Sequence, residues 1–470
     1  MKANNVNVWR YSVLLLCSAM FWSCEHYLET YPRSFISKSE AFATVETAES
    51  VALRLYSSIN GRGFANGSDI SITLFSGLSA DELANHSASG IAASYREFYE
   101  NALVPTNANV AGMWAEIYRL IYQANVVIEG VRGNGSLPEA TAGRLKGEAL
   151  FMRAFGHFYL VNLFGEIPLA LSTDYRENAT KPKSSTQEIW ESIRNDLSEA
   201  KALLPTGYSL TGDRRIRVGR WAAAAMLARV CLYMEDWEGA EREATEVIGQ
   251  RQLFKLEELA NAFLEGSEEA IWQLVRYSGD SEVNAYEGLV FGLSGIPRRV
   301  ALASHVIEWY EPGDRRREYW VGDIESQGHV FHFPNKYKAR SNTPVMEHTV
   351  MLRLGEQYLI RAEARAHQGK FDGCIDDLNS IRGRAGLAPL EPPHPGQGLS
   401  SLLDAVMQER RVEMLAEWGH RWLDLKRTGN ADGVLAQIKP KWQPTAQLYP
   451  IPQEQLLSNP SMRDAQNPGY

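Results

Sequence analysis

Cysteine is scarce in this chain of 470 residues, which carries only four, at positions 17, 24, 231 and 374. Their spacing fits neither a metal motif nor a disulfide framework. The ten histidines are scattered as well, with no pair on one predicted helix face. Glycine-rich phosphate loops and the GxSxG motif are also missing from the sequence. We therefore expect neither a metal site nor a cofactor.

Positive charge is in deficit too, since 48 Lys and Arg against 57 Asp and Glu give a formal charge of −9 at pH 7. A nucleic-acid-binding surface needs clustered Lys and Arg to neutralise phosphates. Two short arginine runs, at residues 214–217 and 315–317, have no basic stripe beside them and are interpreted as solvated loops. The sequence therefore argues against a nucleic-acid partner.

Long hydrophobic runs are absent: the apolar run at residues 11–22 is shorter than the ~20 residues of a membrane-spanning helix, and no later stretch reaches that length. This run follows two basic residues and ends in FWSC, at Cys24, which indicates a signal peptide. The small residue before Cys24 resembles a bacterial lipobox, with Phe21 where Leu is usual. We expect residues 1–23 to be removed and Cys24 to carry lipid; the alternative is an ordinary signal peptide that leaves Cys24 as a free thiol or in a disulfide.

Two segments, residues 221–248 and 354–378, repeat one design. Small residues line both helices of a predicted hairpin, so the helices can approach closely, and an aromatic residue after the turn fills the gap between them. Such hairpins need neighbours to bury a continuous core, as in tetratricopeptide repeats. The aligned pairs are Trp237 with Phe371, Ala228 with Ala362, and Ala240 with Cys374.

Further helices are predicted at residues 113–131, 145–163 and 188–204, the last of them after Ser184, Ser185 and Thr186, which are natural N-cap residues. Helices thus recur through most of the sequence. The prediction is a mostly α fold built from tetratricopeptide-like helical hairpins. The helical scaffold is expected at about residues 112–250 and 346–429.

The stretch from residue 409 to 429 has the pattern of a single helix on a core, because its apolar residues recur every three or four positions. On its edges Glu417 is spaced to pair with Arg421, and Arg421 with Asp424. The predicted apolar stripe comprises Leu403, Met407, Met414, Trp418, Trp422 and Leu425.

Three acidic residues of this stretch, Glu409, Glu413 and Glu417, fall one helical turn apart. Paired carboxylates could in principle serve as the acid and base of a glycosidase. The surrounding arginines would lower the carboxyl pKa values and remove the general acid, so salt bridges are the better interpretation. We therefore expect no catalytic residue and no enzymatic activity.

Aromatic residues outside the helical patterns are better candidates for function. They fall in two stretches with many Gly, Ser, Asn or Pro residues, about 60–111 and 255–345, which are predicted to be loop-rich. Loops on a rigid scaffold are frequent binding sites, and an aromatic face can stack on a sugar ring or on a peptide side chain. The alternative is a small core beneath long loops. The candidate ligand-binding residues are Phe64, Tyr95, Trp309, Tyr310 and Trp320.

Several segments resemble the SusD/RagB family of Bacteroidetes outer-membrane nutrient-uptake lipoproteins, and they occur in the family's order. The resemblance covers most of the chain apart from roughly residues 255–345. No single segment is decisive, but a set of segments in the same order is hard to obtain by chance. The segments are WAEIYRLIYQANVVIEGV from Trp114, GEALFMRAFGHFYLVNLFGEIPL from Gly147, MLRLGEQYLIRAEARAHQGKF from Met351, IRGRAGL from Ile381, ERRVEMLAEWGHRWLDLKRTG from Glu409, and LYPIPQEQLLSNPSMRDAQNPGY ending at Tyr470.

The resemblance implies a SusD-like body over residues 24–470, with the hairpins in one right-handed superhelix and the loop-rich region packed against it. The segment 430–470, rich in proline, is expected to be extended and to pack back on the body. The implied protein is a surface-exposed lipoprotein of the outer membrane. It would bind an oligomeric nutrient, an oligosaccharide or a peptide, and deliver it to a SusC-like TonB-dependent barrel.

Two other functions stay open at this point. A helical-repeat lipoprotein could act as a scaffold that binds partner proteins and no nutrient. A more remote alternative is a periplasm-facing glycan hydrolase. Association with a barrel transporter would separate the first hypothesis from the scaffold, and a turnover assay would isolate the hydrolase.

Overall fold

The fold is mostly α, as the sequence predicted, in a computed structural model that describes residues 37–87, 92–391 and 398–470. The predicted signal peptide and Cys24 lie outside the described residues. The helices are α1 (Lys38–Ala41), α2 (Val45–Arg62), α3 (Ile72–Ser79), α4 (Ala92–Tyr99), α5 (Ala108–Val131), α6 (Glu139–Phe164), α7 (Tyr175–Asn178), α8 (Thr186–Leu203), α9 (Arg220–Tyr233), α10 (Trp237–Ile248), α11 (Tyr286–Phe291), α12 (Arg315–Trp320), α13 (Leu354–His367), α14 (Phe371–Arg384), α15 (Gly398–Glu413), α16 (His420–Arg427), α17 (Ala431–Ile438) and α18 (Gln453–Ser458).

The long helices α5, α6, α8, α9, α10, α13 and α14 form the scaffold, and each packs against the next one in this order. The arrangement is that of tetratricopeptide-like hairpins stacked into a superhelix, as predicted. Close approach of α5 and α6 requires Gly156, because a Cβ atom there would lie 2.9 Å from Ile121 Cγ1. Of the three predicted N-cap residues, Ser185 caps α8 in a capping box with Glu188, and the helix begins at Thr186, two residues before the predicted start.

The two aligned hairpins have the predicted small residues at their contacts. Ala228 and Ala240 are fully buried in the α9–α10 hairpin, and so are Ala362 and Cys374 in the α13–α14 hairpin. Burial raises the pKa of the Cys374 thiol to about 12, which fits a core residue and not a reactive nucleophile.

The stretch 409–429 is not the single helix that its pattern predicted. Helix α15 ends at Glu413, and α16 begins at His420 after a turn in which Ala416, Trp418 and Gly419 all have positive φ angles. Backbone N–H groups of this turn bond to another part of the chain: Ala416 N donates to Glu82 Oε1 at 2.9 Å. These tertiary hydrogen bonds outweigh the helical periodicity, and the predicted stripe is split between two helices.

The surface pairs predicted along this stretch are also wrong. Glu417 pairs with Lys336 and Arg353, Arg421 pairs with Asp81, and Asp424 pairs with arginines 410 and 427. The turn at residues 414–419 leaves Glu417 outside α16, so the i,i+4 spacing of one helix does not apply to Glu417 and Arg421. Arg421 and Asp424 share α16, but each pairs with a residue outside that helix.

Strands are short and pair two by two in the described residues. The pairs join distant parts of the chain as well as neighbouring segments. They are all antiparallel: β1 (Leu83–Asn85) with β5 (Val300–Leu302), β2 (Ala270–Leu274) with β8 (Thr349–Arg353), β3 (Arg276–Ser278) with β4 (Ser281–Val283), and β6 (Val321–Ser326) with β7 (His329–Pro334).

The C-terminal segment packs on the body, as predicted, but it is not simply extended. Helices α17 and α18 and two 3-10 turns interrupt it. Tyr449 is fully buried, and its N–H donates to Leu163 O at 2.7 Å, while Asn467 Nδ2 donates to Phe164 O at 2.8 Å. Among the described helices, none combines the length and the apolar character needed to cross a membrane.

Candidate ligand-binding cleft

The two stretches that the sequence predicted to be loop-rich meet at one edge of the molecule. Strands β1 and β5 pair there, with Leu83 opposite Leu302 and Asn85 opposite Val300. The pairing continues beyond the strand, since His86 N donates to Arg299 O at 2.7 Å. Residues more than two hundred positions apart in the sequence thus form one β-ladder, which we call the seam. The seam attaches the loop after α11 to the rest of the molecule.

A cleft of about 900 Å³ lies beside this seam, which is within the size range of ligand sites. We call it the loop cleft. Its apolar part includes Leu289 and Ile296, which are 39% and 45% exposed although both are large aliphatic residues. The loop cleft is lined by Leu289, Val290, Gly292, Leu293, Ser294, Gly295, Ile296, Arg298, Arg299, Val300 and Ser326.

Two arginines, Arg298 and Arg299, line the loop cleft, and Arg340 lies behind one of its glycines. Arg299 pairs with Asp69 at 2.9 Å across the joint between the two loop-rich stretches. Arg298 is exposed, and no acidic group among the described residues forms an ion pair with it. Arg340 packs on Gly292, where a Cβ atom would lie 2.0 Å from the arginine Nε. The loop cleft is therefore a basic site on a protein of net negative charge.

This combination suits a polar ligand that also has apolar faces. Guanidinium groups donate several hydrogen bonds in a fixed plane and bind hydroxyl, carboxylate or sulfate oxygens. Exposed aliphatic side chains next to them can cover the C–H face of a sugar ring or an aliphatic side chain of a peptide. The described residues of the loop cleft offer no nucleophile with an adjacent base.

The aromatic residues predicted to bind ligand lie elsewhere. Phe64, Tyr95, Trp309 and Trp320 are buried, and Tyr310 is half-buried. None of the five lines the loop cleft. Their rings are therefore covered by other residues in this structure, and their role in ligand binding stays a prediction.

Contacts explain the burial of these rings. Phe64 packs edge-on against Tyr159 in the main core, with ring centroids 5.5 Å apart. The Trp320 indole N–H donates to Leu259 O at 2.9 Å, and its ring lies in a smaller core beneath the loops, as the alternative interpretation expected. Tyr95 has a link to the loop cleft, because its hydroxyl donates to Asp69 O at 2.8 Å.

The acidic residues of the signature stretch lie in a buried network of ion pairs. Glu409 Oε2 and Arg316 Nη1 are 2.8 Å apart, and Glu413 Oε1 lies 2.6 Å from Arg353 Nη1. Burial by itself would raise the pKa of Glu413, but the charges of neighbouring arginines outweigh it and lower the pKa. Glu417 shows the same direction for its pKa. The interpretation of these three glutamates as salt-bridge residues is confirmed, although their partners are not the predicted ones, and an acid–base pair for glycosidic cleavage is not available here.

Comparison with known proteins agrees with this fold. A family model described as "Starch-binding associating with outer membrane" matches residues 71–232, and one described as "SusD family" matches residues 326–470. A SusD-like protein of Formosa agariphila is 23% identical over an alignment of 537 positions that covers 100% of both chains.

Solved structures show the same architecture. A SusD superfamily protein from Bacteroides vulgatus superposes with a TM-score of 0.77 at 18% identity, covering 89% of this chain and 97% of the other. A laminarin-binding SusD-like protein gives a TM-score of 0.75 at 22% identity, covering 90% and 99%. At these identities the structural likeness shows the fold, while the two family models identify the sequence. The chain belongs to the SusD/RagB family.

Proposed function

We propose that the protein binds an oligosaccharide in the loop cleft and acts as a carbohydrate-binding protein of the cell surface. The observation that carries the proposal is the loop cleft itself, with exposed aliphatic residues beside an unpaired arginine. It lies where two loop-rich stretches of a SusD-family fold meet. Support also comes from the matching family model described as starch-binding and from the laminarin-binding structural neighbour.

In the proposed complex the apolar face of a sugar ring lies on Leu289 and Ile296. Hydroxyl groups of the sugar accept hydrogen bonds from Arg298 and Arg299, and the Ser294 and Ser326 side chains are close enough to the rim to take part. Charge-assisted hydrogen bonds of this kind are roughly twice as strong as neutral ones. Recognition thus depends on the guanidinium groups for orientation and on the aliphatic residues for contact area.

Tyr95 has an indirect role in this proposal. Its hydroxyl holds the carbonyl of Asp69, and the Asp69 carboxylate in turn pairs with Arg299. Tyr95 is therefore a positioning residue for the rim of the loop cleft. Of the other predicted aromatic residues, Phe64 packs in the main core and Trp320 in the smaller core beneath the loops. In this proposal Phe64, Trp309, Tyr310 and Trp320 do not contact the sugar.

The substitution Arg298→Gln is expected to weaken oligosaccharide binding by roughly 10- to 100-fold. This range corresponds to one hydrogen bond from a charged group, about 1.5–3 kcal/mol. Arg298 is exposed and lacks an ion-pair partner among the described residues, so the change should leave the folded structure intact. Isothermal titration calorimetry against a panel of neutral and anionic oligosaccharides would measure the effect on each ligand that binds.

The matched control is Arg119→Gln on helix α5, which removes another exposed arginine, away from the loop cleft. It should leave the affinity unchanged. Binding of oligosaccharides with equal affinity by both variants would exclude the loop cleft as the site. Binding of peptides in place of every oligosaccharide would refute the carbohydrate part of the proposal.

We further propose that the protein is anchored in the outer membrane through a lipid on Cys24 and delivers its ligand to a SusC-like TonB-dependent barrel. Family membership supports this proposal. With a tagged chain expressed in its native host, an affinity pull-down from detergent-solubilised outer membranes should recover a barrel transporter in stoichiometric amount. Recovery of soluble or periplasmic proteins without a barrel would contradict delivery and favour the scaffold function.

A further inference from the structure

Three metal-binding side chains meet on the side of the molecule where strands β3 and β4 form a hairpin. Glu282 belongs to β4, His348 directly precedes β8, and Glu265 lies in the turn before β2. His348 Nε2 is 3.7 Å from Glu282 Oε2 and 3.9 Å from Glu265 Oε1. All three potential ligand atoms lie within 4.8 Å of one another, and none of these residues lines the loop cleft.

His348 provides a second observation that points to a ligand. Its side chain is 1% exposed, and neither ring nitrogen has a hydrogen-bond partner among the described residues. A buried imidazole without hydrogen bonds is costly, so such a group requires an explanation. Burial lowers the pKa of His348, which favours the neutral imidazole that metal ions bind.

We propose that His348, Glu265 and Glu282 form a zinc site with one His nitrogen and two carboxylate oxygens as ligands. Zinc takes such ligands at about 2.0–2.2 Å, which in a tetrahedral site places them about 3.4 Å apart. The observed distances of 3.7 and 3.9 Å from the imidazole exceed this value by a few tenths of an ångström. All three ligand atoms lie within 4.8 Å of one another, so zinc binding requires the two partly exposed glutamates to rotate towards the ion.

Zinc fits better than the hard cations. Calcium requires six to eight oxygen ligands, and magnesium prefers oxygen ligands in a strict octahedron. One imidazole nitrogen and two carboxylate oxygens are ligand types that zinc accepts, and they leave the fourth position of a tetrahedral site open for water. The three ligands come from separate segments of the chain, so no sequence spacing could have shown them.

Arg214 competes with the proposed ion. Its Nη2 lies 2.6 Å from Glu282 Oε2 and 3.2 Å from Glu265 Oε1, the same oxygens that face His348. Its Nη1 bonds to the other Glu282 oxygen at 2.8 Å. Zinc must displace Nη2, whereas the Nη1 bond can persist and orient the coordinated carboxylate, as outer partners of metal ligands do. Arg214 is partly exposed, so its side chain has room to rotate.

The test is a titration of the untagged, chelator-treated full chain with zinc chloride, followed by mass spectrometric measurement of retained metal after dialysis. One equivalent of zinc per chain is expected. Cobalt as a substitute should give a visible absorption spectrum of a nitrogen- and oxygen-bound site. His348→Gln and Glu282→Gln should each weaken zinc binding at least about tenfold. Arg214→Gln removes the competing charge and should strengthen zinc binding.

The matched control is His332→Gln, which removes a histidine that lies 2.7 Å from a carboxylate of Asp323 on the exposed β6–β7 hairpin. This variant should bind zinc like the original chain. If His348→Gln does not fold, the zinc affinities of Glu265→Gln and Glu282→Gln decide the test, because both glutamates are partly exposed. Absence of zinc binding in the original chain, or the same affinity in the Glu265 and Glu282 variants, would overturn the proposal.

Discussion

Replacing Glu413 with glutamine is expected to lower the free energy of unfolding by about 3–5 kcal/mol, the usual effect of removing one partner from a buried ion pair. The carboxylate of Glu413 is fully buried and contacts three arginines. Arg353 lies 2.6 Å from it and Arg316 3.2 Å, and Arg384 forms a further short contact. The glutamine is neutral, so it would remove one negative charge from the centre of this buried network, and Glu269, Glu409 and Glu417 would remain as partners of the arginines. Urea denaturation at pH 7 would measure the loss.

The same network makes stability depend on pH, and the sign follows from the lowered pKa values of Glu413 and Glu417. A carboxyl group with a lower pKa in the folded state stabilises the fold above its unfolded pKa of 4.5. This contribution is lost as the pH falls below 4.5 towards the folded pKa values. The free energy of unfolding, measured by urea denaturation at several pH values between 7 and 3, should therefore decrease less steeply below pH 4.5 in Glu413→Gln than in the original chain.

The matched control for Glu413 is Glu116→Gln on helix α5. Glu116 forms an exposed ion pair with Arg119 at 3.0 Å, and such pairs contribute about 0–1 kcal/mol. The two variants make the same chemical change and differ in burial and in the number of partners. Equal stability of both variants at pH 7 would show that the buried network is not a major source of stability.

Local sequence patterns predicted the helical hairpins well, because their signals lie within a few residues. Ser185 and Glu188 at the start of α8 are three positions apart, and the alanines of the α9–α10 hairpin repeat at helical spacing. The prediction failed at residues 414–419 for the opposite reason. There the decisive hydrogen bonds run from Ala416 to Glu82 and from Trp418 to Thr73, across most of the chain.

The candidate site was less predictable for the same physical reason. The sequence pointed to the two stretches that meet at the proposed site, but it favoured their aromatic residues over Leu289, Ile296 and Arg298. Only the pairing of β1 with β5 shows which part of each loop is exposed and which is covered. A signal was present in the short segment GLSGIPRR, where glycine and proline break regular structure around aliphatic and basic residues.

The second large effect is expected from Trp422→Ala, which should lower the free energy of unfolding by about 3–5 kcal/mol. The Trp422 side chain is 0% exposed on helix α16 and touches two aromatic residues of the C-terminal segment. Its ring stacks on Tyr449, with centroids 6.2 Å apart, and lies edge-on to Trp442 at 6.1 Å. Alanine would leave a large cavity at the place where this segment is attached to the helical body.

Because the cavity lies under the C-terminal segment, Trp422→Ala should destabilise this segment in addition to lowering the free energy of unfolding of the whole protein. Hydrogen exchange in Trp422→Ala should accelerate more in residues 440–470 than in helices α5 and α6. Trp422→Phe is the matched control. It retains a ring for Tyr449, and it loses no hydrogen bond, because the indole N–H has no partner among the described residues. A uniform increase in exchange across the chain, or none in residues 440–470, would contradict the view that Trp422 holds the C-terminal segment on the scaffold.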